Sequence, residues 1–82
     1  MIDTGRIRTA FSAKLKALLK ERGMKQAELA RRLGSTQTSV CRYVSGQRIP
    51  TVDVAVLIAD ALNVSMDELL CTAELRGYQK GA

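Results

Sequence analysis

A chain of 82 residues is long enough for one small domain with a single modest core. Its hydrophobic content of 46%, with one Pro and no Trp, is typical of a compact helical protein and excludes a disordered chain. The apolar runs are too short to cross a bilayer, and no signal segment is expected. Two cysteines, Cys41 and Cys71, without any His exclude the usual zinc spacings and make a disulfide framework unexpected. We therefore expect a cytoplasmic protein that holds no metal and no cofactor.

Charge is unevenly distributed along the chain. The net charge is +5, but residues 1–50 contain eleven of the 13 Lys and Arg residues and only three of the 8 Asp and Glu residues. The remaining residues are acidic on balance. A basic half of this kind favours a polyanionic partner over a purely solubilising role, although charge alone does not identify the partner.

The first predicted helix is marked by apolar residues that recur at steps of three and four. These residues are Ile7, Phe11, Leu15, Leu18 and Leu19. On the opposite, basic face, Lys14 and Lys16 are interpreted as solvated side chains. Gly23 is expected to end the helix in a left-handed conformation. Residues 1–5 are expected to fray.

The next two helices are predicted at about residues 25–33 and 36–44, joined by a tight turn. Ala30 is small where the two helices must cross, and Val40 is apolar where the third helix faces inward. Gly34 lies in the turn, where a positive φ is favourable only without a Cβ. Since Thr36 would also make a good N-cap, the pattern is typical of a helix-turn-helix, a motif that lies on DNA.

A turn over residues 45–50 separates the third helix from the fourth. Gly46 is placed to end the third helix in a left-handed conformation. Pro50 disfavours helix at the residue before it, so Thr51 is expected to be the N-cap of the next helix. The apolar residues that follow predict a fourth helix over residues 52–62.

The fifth predicted helix is short. Ser65 and Glu68 have the spacing of a capping box, which predicts a helix that opens at Ser65 and continues through Leu70. No internal repeat or linker is recognisable. We therefore predict an all-α domain of five helices at residues 1–70, with a short flexible N-terminus and a C-terminal tail at residues 71–82.

Four blocks of sequence resemble one protein family. In chain order they are LKALLKERGMKQAELA, LGSTQTSV, SGQRIP and IADALNVSMDELL. With these motifs the chain resembles the lambda-repressor-like, Cro/cI-type (XRE) family of helix-turn-helix DNA-binding proteins over residues 11–70. The resemblance implies that the third helix enters the major groove and that a dimer binds a two-fold site to regulate transcription. Lys25 departs from the Thr or Ser that commonly caps the second helix, and Val44 stands where a polar or acidic residue often sits.

The outward face of the third helix carries the side chains expected to contact base edges. They are Gln37, Thr38, Cys41 and Arg42. Gln and Arg suit bidentate contacts with adenine and guanine, although Arg42 is long enough to contact a phosphate instead. Cys41 has two interpretations, a thiol switch or a small filler at a serine-like position.

Backbone phosphates are expected at the starts of the second and third helices, where unpaired N–H groups favour anions. The resemblance supports Gln26 and Thr36 in this role, and the alternative for Thr36 is an N-cap alone. Further candidates for phosphate contacts, in the turn after the third helix, are Ser45, Gln47 and Arg48.

The fourth helix is apolar nearly all round, and a domain this small is not expected to cover it alone. The residues expected to face the core are Val52, Ala55, Val56, Ala59 and Leu62. A second stripe, roughly opposite, is interpreted as a self-association surface together with the tail. The residues assigned to this dimer interface are Val54, Leu57, Ala61, Leu70, Leu75 and Tyr78. In the alternative, the tail covers the second stripe within one chain.

Taken as a whole, the sequence predicts a transcriptional regulator, a repressor that binds an inverted repeat in double-stranded DNA as a homodimer. The chain lacks His, a glycine-rich phosphate loop and clustered carboxylates, so an enzyme is not expected. One alternative is an antitoxin-type protein-interaction module that also binds DNA and holds a protein partner on the second stripe. Another is architectural binding of nucleic acid without sequence preference.

Overall fold

The computed structural model describes residues 4–70, which form five α-helices and no strand. The helices are α1 (Thr4–Glu21), α2 (Gln26–Leu33), α3 (Gln37–Ser45), α4 (Val52–Leu62) and α5 (Met66–Leu70). The all-α, five-helix prediction is therefore confirmed. Residues 4 and 5, which were expected to fray, form the start of α1, and their carbonyl groups can bond to amides one turn further on. No helix within residues 4–70 is long and apolar enough to cross a membrane.

The core is built around α1, whose apolar stripe is buried along most of the helix. α1 packs against α3 and α5, while α2 packs against α3 and α4. The largest fully buried side chains are Phe11, Leu15, Leu18, Leu29, Val40, Ile58, Leu62 and Leu69. Burial of each aliphatic or aromatic side chain contributes about 1.5–3 kcal/mol, so this set dominates the stability of the fold.

The crossing of α2 and α3 lies where the sequence predicts it. Ala30 and Val40 are both buried, with exposed fractions of 4% and 0%. Gly34 ends α2 with a φ of 65°, as predicted. The N–H groups of Gly34 and Ser35 donate to carbonyl groups in the last turn of α2, over 3.2 and 2.9 Å. This left-handed end reverses the chain within a few residues and thereby sets how α3 lies against α2.

The N-terminal ends of α4 and α5 are stabilised in different ways. Thr51 occupies the N-cap position of α4, but its hydroxyl donates to the Asp53 carboxylate and makes no cap bond to the backbone. Ser65 does cap α5, because its hydroxyl oxygen accepts the N–H of Glu68 at 3.1 Å. The Glu68 carboxylate also lies 3.6 Å from the Lys14 amine, which joins α5 to α1.

The buried face of α4 is not the one that the sequence suggested. That face consists of Ala55, Ile58, Ala59 and Leu62. Val52 and Val56, which were expected in the core, are 77% and 48% exposed. The buried sector is rotated towards Ile58, because the position of the neighbouring helices α2 and α5 decides which apolar side of α4 is covered.

The residues assigned to a dimer interface are correspondingly divided. Partly buried contacts with the core are made by Val54, Ala61 and Leu70, which corrects the expectation of an outward stripe. Leu57 does face outward and is 48% exposed. Leu75 and Tyr78 lie outside the described residues.

Side chains of the α1 segment hold the ends of α3 and α4 through hydrogen bonds. The Ser12 hydroxyl, which is buried, donates to the carbonyl oxygen of Val44 in the last turn of α3. Arg22 Nε, just after α1, donates to the carbonyl oxygen of Leu62 at the end of α4. Carbonyl groups in a last turn have no partner within their own helix, so both bonds satisfy groups that would otherwise need water. They also fix α3 and α4 against α1.

We expect Ser12→Ala to destabilise the protein by about 1–3 kcal/mol, because a buried carbonyl loses its partner. Ser45→Ala is the matched control, since the Ser45 hydroxyl donates to the Arg42 carbonyl over 3.1 Å on the exposed surface. Water replaces that bond, so a change within about 0.5 kcal/mol is expected. Urea unfolding followed by circular dichroism measures both, and equal losses in the two variants would contradict the role given to Ser12.

Candidate nucleic-acid interface

The four side chains predicted to contact base edges lie together on the outer side of α3. This α3 face consists of Gln37, Thr38, Cys41 and Arg42, all of them exposed. With Gln47 they line one shallow depression. They point outward because the opposite side of α3 is buried. Within residues 4–70 these four side chains make no hydrogen bond or ion pair, so their polar groups are available to a ligand.

The start of α3 is closed by Thr36. The Thr36 hydroxyl oxygen accepts the N–H of Ser39 at 3.2 Å, and the hydroxyl donates to the Ser39 hydroxyl oxygen at 3.1 Å. The N-cap role of Thr36 is therefore present in the structure. The remaining donors at this end are the backbone N–H groups of Gln37 and Thr38, and the first turn of α3 contains no acidic residue. An anion at this end would meet these backbone donors.

The start of α2 has no side-chain cap. Lys25 occupies the N-cap position with an extended backbone, and its side chain makes no capping hydrogen bond. The N–H groups of Gln26, Ala27 and Glu28 therefore have no partner within the helix. The carboxylate of Glu28, also in this turn, pairs with Arg32 over 2.9 Å. Open N–H groups beside a lysine amine therefore favour an anion at this end, more than a Thr or Ser cap would.

A second depression joins the start of α2 to the α3 face. It is lined by Lys16, Leu19, Met24, Lys25, Gln26, Ala27, Gln37 and Val44. Gln37 lines both depressions, so the two form one continuous surface. The sequence placed Lys16 among solvated side chains, and only the packing of α1 against α3 brings it to this surface. Lys16 and Lys25 are therefore further candidates for this surface, which the sequence did not identify.

The turn after α3 folds back on the end of that helix. The N–H groups of Gln47 and Arg48 both donate to the Arg42 carbonyl, over 2.9 and 3.3 Å. The hydroxyl of Ser45 donates to the same carbonyl. Gln47 is thereby held in the depression of the α3 face, and Arg48 is exposed beside it. Among the residues predicted to contact phosphate in this turn, Ser45 already uses its hydroxyl proton within the protein.

Some basic side chains form ion pairs within the described residues, and others do not. Lys14 pairs with Glu68 over 3.6 Å, Arg22 with Glu21 over 3.0 Å and Arg32 with Glu28 over 2.9 Å. The basic residues at or beside the two depressions form no such pair within residues 4–70. They are Lys16, Lys25, Arg42 and Arg48. Four positive charges without an ion pair in this part of the chain therefore lie where α3 is exposed, while Arg8, Lys20 and Arg31 lie elsewhere on the surface.

Comparison with known proteins agrees with this geometry. A family model described as Helix-turn-helix (HTH_3) matches residues 15–69, and the chain belongs to this family. A relative from Vibrio cholerae, the cryptic phage CTXphi transcriptional repressor RstR, is 48% identical over 44 residues. That match covers 54% of this chain and 39% of the relative, so less than half of the relative's length is represented.

Solved structures share the fold. The SOS-response transcriptional repressor LexA from Eubacterium rectale superposes with a TM-score of 0.76 at 22% identity, over 79% of this chain and 69% of that one. A hypothetical transcription factor, NHTF from Neisseria, superposes with a TM-score of 0.74 at 22% identity, over 85% and 82% of the two chains. At this identity the similarity establishes the arrangement of helices.

We expect Thr36→Ala to lower the free energy of unfolding by about 1 kcal/mol, because the Ser39 N–H loses its cap. Thr36→Ser keeps the hydroxyl and should be close to wild type. Thr51→Ala is the matched control at the other threonine N-cap, which makes no side-chain cap bond, and should cost less than Thr36→Ala. Thermal unfolding ranks the three variants. A Thr51→Ala protein as unstable as the Thr36→Ala protein would contradict this assignment of the caps.

Proposed function

We propose that this chain is a sequence-specific, double-stranded-DNA-binding transcriptional regulator, a repressor that binds an inverted-repeat operator as a homodimer. The observation that carries the proposal is the α3 face, where four side chains without partners among residues 4–70 line one exposed surface on a well-packed helix. Membership in the helix-turn-helix family supports DNA as the ligand. The repressor among its relatives supports the sign of regulation. Because such a protein acts on DNA, a bacterial or phage-type cytoplasmic location remains part of the proposal.

In this proposal α3 lies in the major groove, which is wide enough to admit a helix. The amide of Gln37 can donate to and accept from an adenine edge, and the guanidinium of Arg42 can donate two hydrogen bonds to a guanine edge. Thr38 and Cys41, between them on the same surface, contribute smaller contacts to the bases. Arg42 has an alternative role as a phosphate contact, and Cys41 has one as a reactive thiol. In either case the α3 face remains the element that contacts the bases.

Phosphate groups bind on both sides of the α3 face. On one side, the open N–H groups at Gln26 and the amines of Lys16 and Lys25 form an anion-binding end of α2. On the other, Gln47 and Arg48 follow the end of α3. The Thr36 hydroxyl serves as a cap, and its end of α3 offers backbone N–H groups to the phosphate.

A homodimer follows from the small size of the reading surface. One α3 face supplies few base contacts, and a single module of this size does not discriminate its site from competing genomic DNA. Two copies related by a two-fold axis would place their α3 helices about 34 Å apart, one turn of duplex, and would bind an inverted repeat.

A second candidate function, protein interaction of the antitoxin type, is favoured by one observation. Val52, Val56 and Leu57 are exposed large hydrophobic residues on α4, remote in sequence from the α3 face. Sedimentation of the purified protein separates the two functions. A stable dimer supports the homodimeric regulator, and a soluble monomer supports an interaction module whose protein partner is missing.

Selection of bound duplexes from a random pool tests the proposed function directly. Enrichment of an inverted repeat with half-sites about one turn apart is the expected result. Binding that depends steeply on salt but enriches no sequence would overturn the proposal in favour of architectural binding.

We expect Gln37→Ala and Arg48→Ala to differ in how much affinity each loses for the selected operator and for a random duplex. Gln37→Ala should weaken operator binding about 5- to 150-fold and random-duplex binding far less, because a base contact is lost. Arg48→Ala should weaken both by a similar factor, because a phosphate contact carries no sequence information. Fluorescence anisotropy with both duplexes gives the two ratios. A Gln37→Ala protein that loses affinity equally for both would contradict the base-reading role.

We expect Lys16→Gln and Lys25→Gln each to reduce the slope of log affinity against log salt by about 0.9, the value for one phosphate contact. Arg31→Gln is the control for removal of one positive charge, since Arg31 is exposed on α2 and lines neither depression. Titrations over a range of salt concentrations measure the slopes. If Arg31→Gln changes the slope as much as Lys16→Gln, the lysines act through net charge and not through contact.

A further inference from the structure

α4 presents an exposed surface that neither the core nor the DNA interface uses. This α4 outer face consists of Val52, Asp53, Val56, Leu57 and Asp60. Its three apolar residues are the exposed large hydrophobics of the described chain, with exposed fractions of 77%, 48% and 48%. A group of apolar side chains with acids among them, on a helix whose other side is buried, has the composition of a binding surface.

The α4 outer face is purely acidic in its charge. Residues 51–70 contain no Lys or Arg, so Asp53 and Asp60 have no basic neighbour on α4 or α5. The hydroxyl of Thr51 donates to the Asp53 carboxylate and, with the N–H of Val54, lowers the pKa of that carboxyl. Asp53 therefore stays ionised at neutral pH, and the partner of this face must supply positive charge.

A direct pairing of two α4 helices does not meet this requirement. The two acids are seven residues apart, about 10 Å along the helix. In an antiparallel pair Asp53 would lie near Asp60 of the partner subunit, and in a parallel pair each acid would lie near its own copy. Either arrangement opposes like charges in a partly desolvated contact, which is unfavourable.

The chain itself contains a segment of complementary chemistry. Leu75 and Tyr78 are apolar, and Arg76 and Lys80 are basic, within six consecutive residues. This segment lies outside the described residues. Its apolar side chains match the three hydrophobic residues of the α4 outer face, and its two positive charges match the two acids.

We propose that the α4 outer face binds the segment 75–80 of a second copy of this chain. The inference rests on the homodimer of the proposed function and identifies the contact that holds it. A reciprocal exchange, in which each copy supplies a segment and receives one, gives a two-fold interface. The acidic α4 faces then never meet, because a basic segment separates them from the partner. No residue of the α4 outer face lines either depression beside α3, so α4 offers this contact without using the DNA interface.

Disulfide trapping between two copies tests the contact. In a background of Cys41→Ser and Cys71→Ser, one protein carries Val56→Cys and another carries Tyr78→Cys. Mixed and mildly oxidised, the two are expected to form a covalently linked dimer. The control replaces Val56→Cys by Ala13→Cys on the exposed side of α1, which should not link. Linking that is equally efficient with the control, or absent from both mixtures, overturns the proposal.

Charge exchange provides a second, independent readout. Asp53→Lys with Asp60→Lys, and separately Arg76→Glu with Lys80→Glu, should each weaken dimerisation about tenfold in sedimentation equilibrium. The protein with all four changes should recover most of the loss, whereas Asp67→Lys on α5 should change little. Circular dichroism verifies that each variant is folded.

The outcomes separate this contact from the proposed function. If the wild-type protein dimerises, neither pair of charge changes weakens dimerisation and the cysteine variants do not link, the α4 contact is overturned and the homodimer is retained. A wild-type protein that is monomeric at every concentration overturns the homodimer itself. A chain carrying both Val56→Cys and Tyr78→Cys that links only within itself shows that the segment covers its own α4, which overturns binding by a second copy.

Discussion

The two-sided character of α3 is the constraint on which the rest of the structure depends. Its inner side is buried, with Val40 fully inaccessible, while its outer side carries polar side chains that have no partner in the described part of the chain. A nine-residue helix is too short to be stable in water by itself, so its orientation comes from packing and from bonds at its ends. Thr36 closes the first turn, and Ser12 on α1 holds the last. The α3 face is held in place because the opposite side of the helix belongs to the core.

Local chemistry explains which parts of the fold could be predicted from the sequence. Gly34 and Gly46 ended their helices as expected, because a positive φ at a helix end depends on a single residue type. The α3 face was likewise predictable, since helical spacing alone places Gln37 and Arg42 on one side of a helix whose inner side is apolar. Asn63 ends α4 in the same left-handed conformation, but Asn does so only in a suitable context and gave no clear signal.

Features that depend on tertiary neighbours were not predictable in the same way. α4 is apolar on two sides, so its periodicity could not decide which side α2 and α5 would cover, and Val56 was assigned to the wrong one. The position of Lys16 beside the α3 face was not predicted, because it depends on how α1 packs against α3. Val44 shows the same dependence on tertiary neighbours. Family members often have a polar residue at this position, but here the side chain is buried and lines the second depression together with Leu19, so an apolar residue fits.

The helix N-termini show how the chain separates one binding surface from another. All α-helices carry a partial positive charge at the N-terminus, so on this ground alone α2, α3 and α4 would attract phosphate equally. The first turn of α3 contains no acid. The first turn of α2 contains Glu28, but its carboxylate pairs with Arg32 over 2.9 Å, and the open N–H groups there lie beside Lys16 and Lys25. At α4 the Asp53 carboxylate supplies the negative charge from within the protein, which disfavours a phosphate there. An acid at the start of α4 without an ion pair among the described residues, and not a difference in helix geometry, therefore supports our proposal that a polyanion binds at α2 and α3 and that α4 binds a partner of opposite charge.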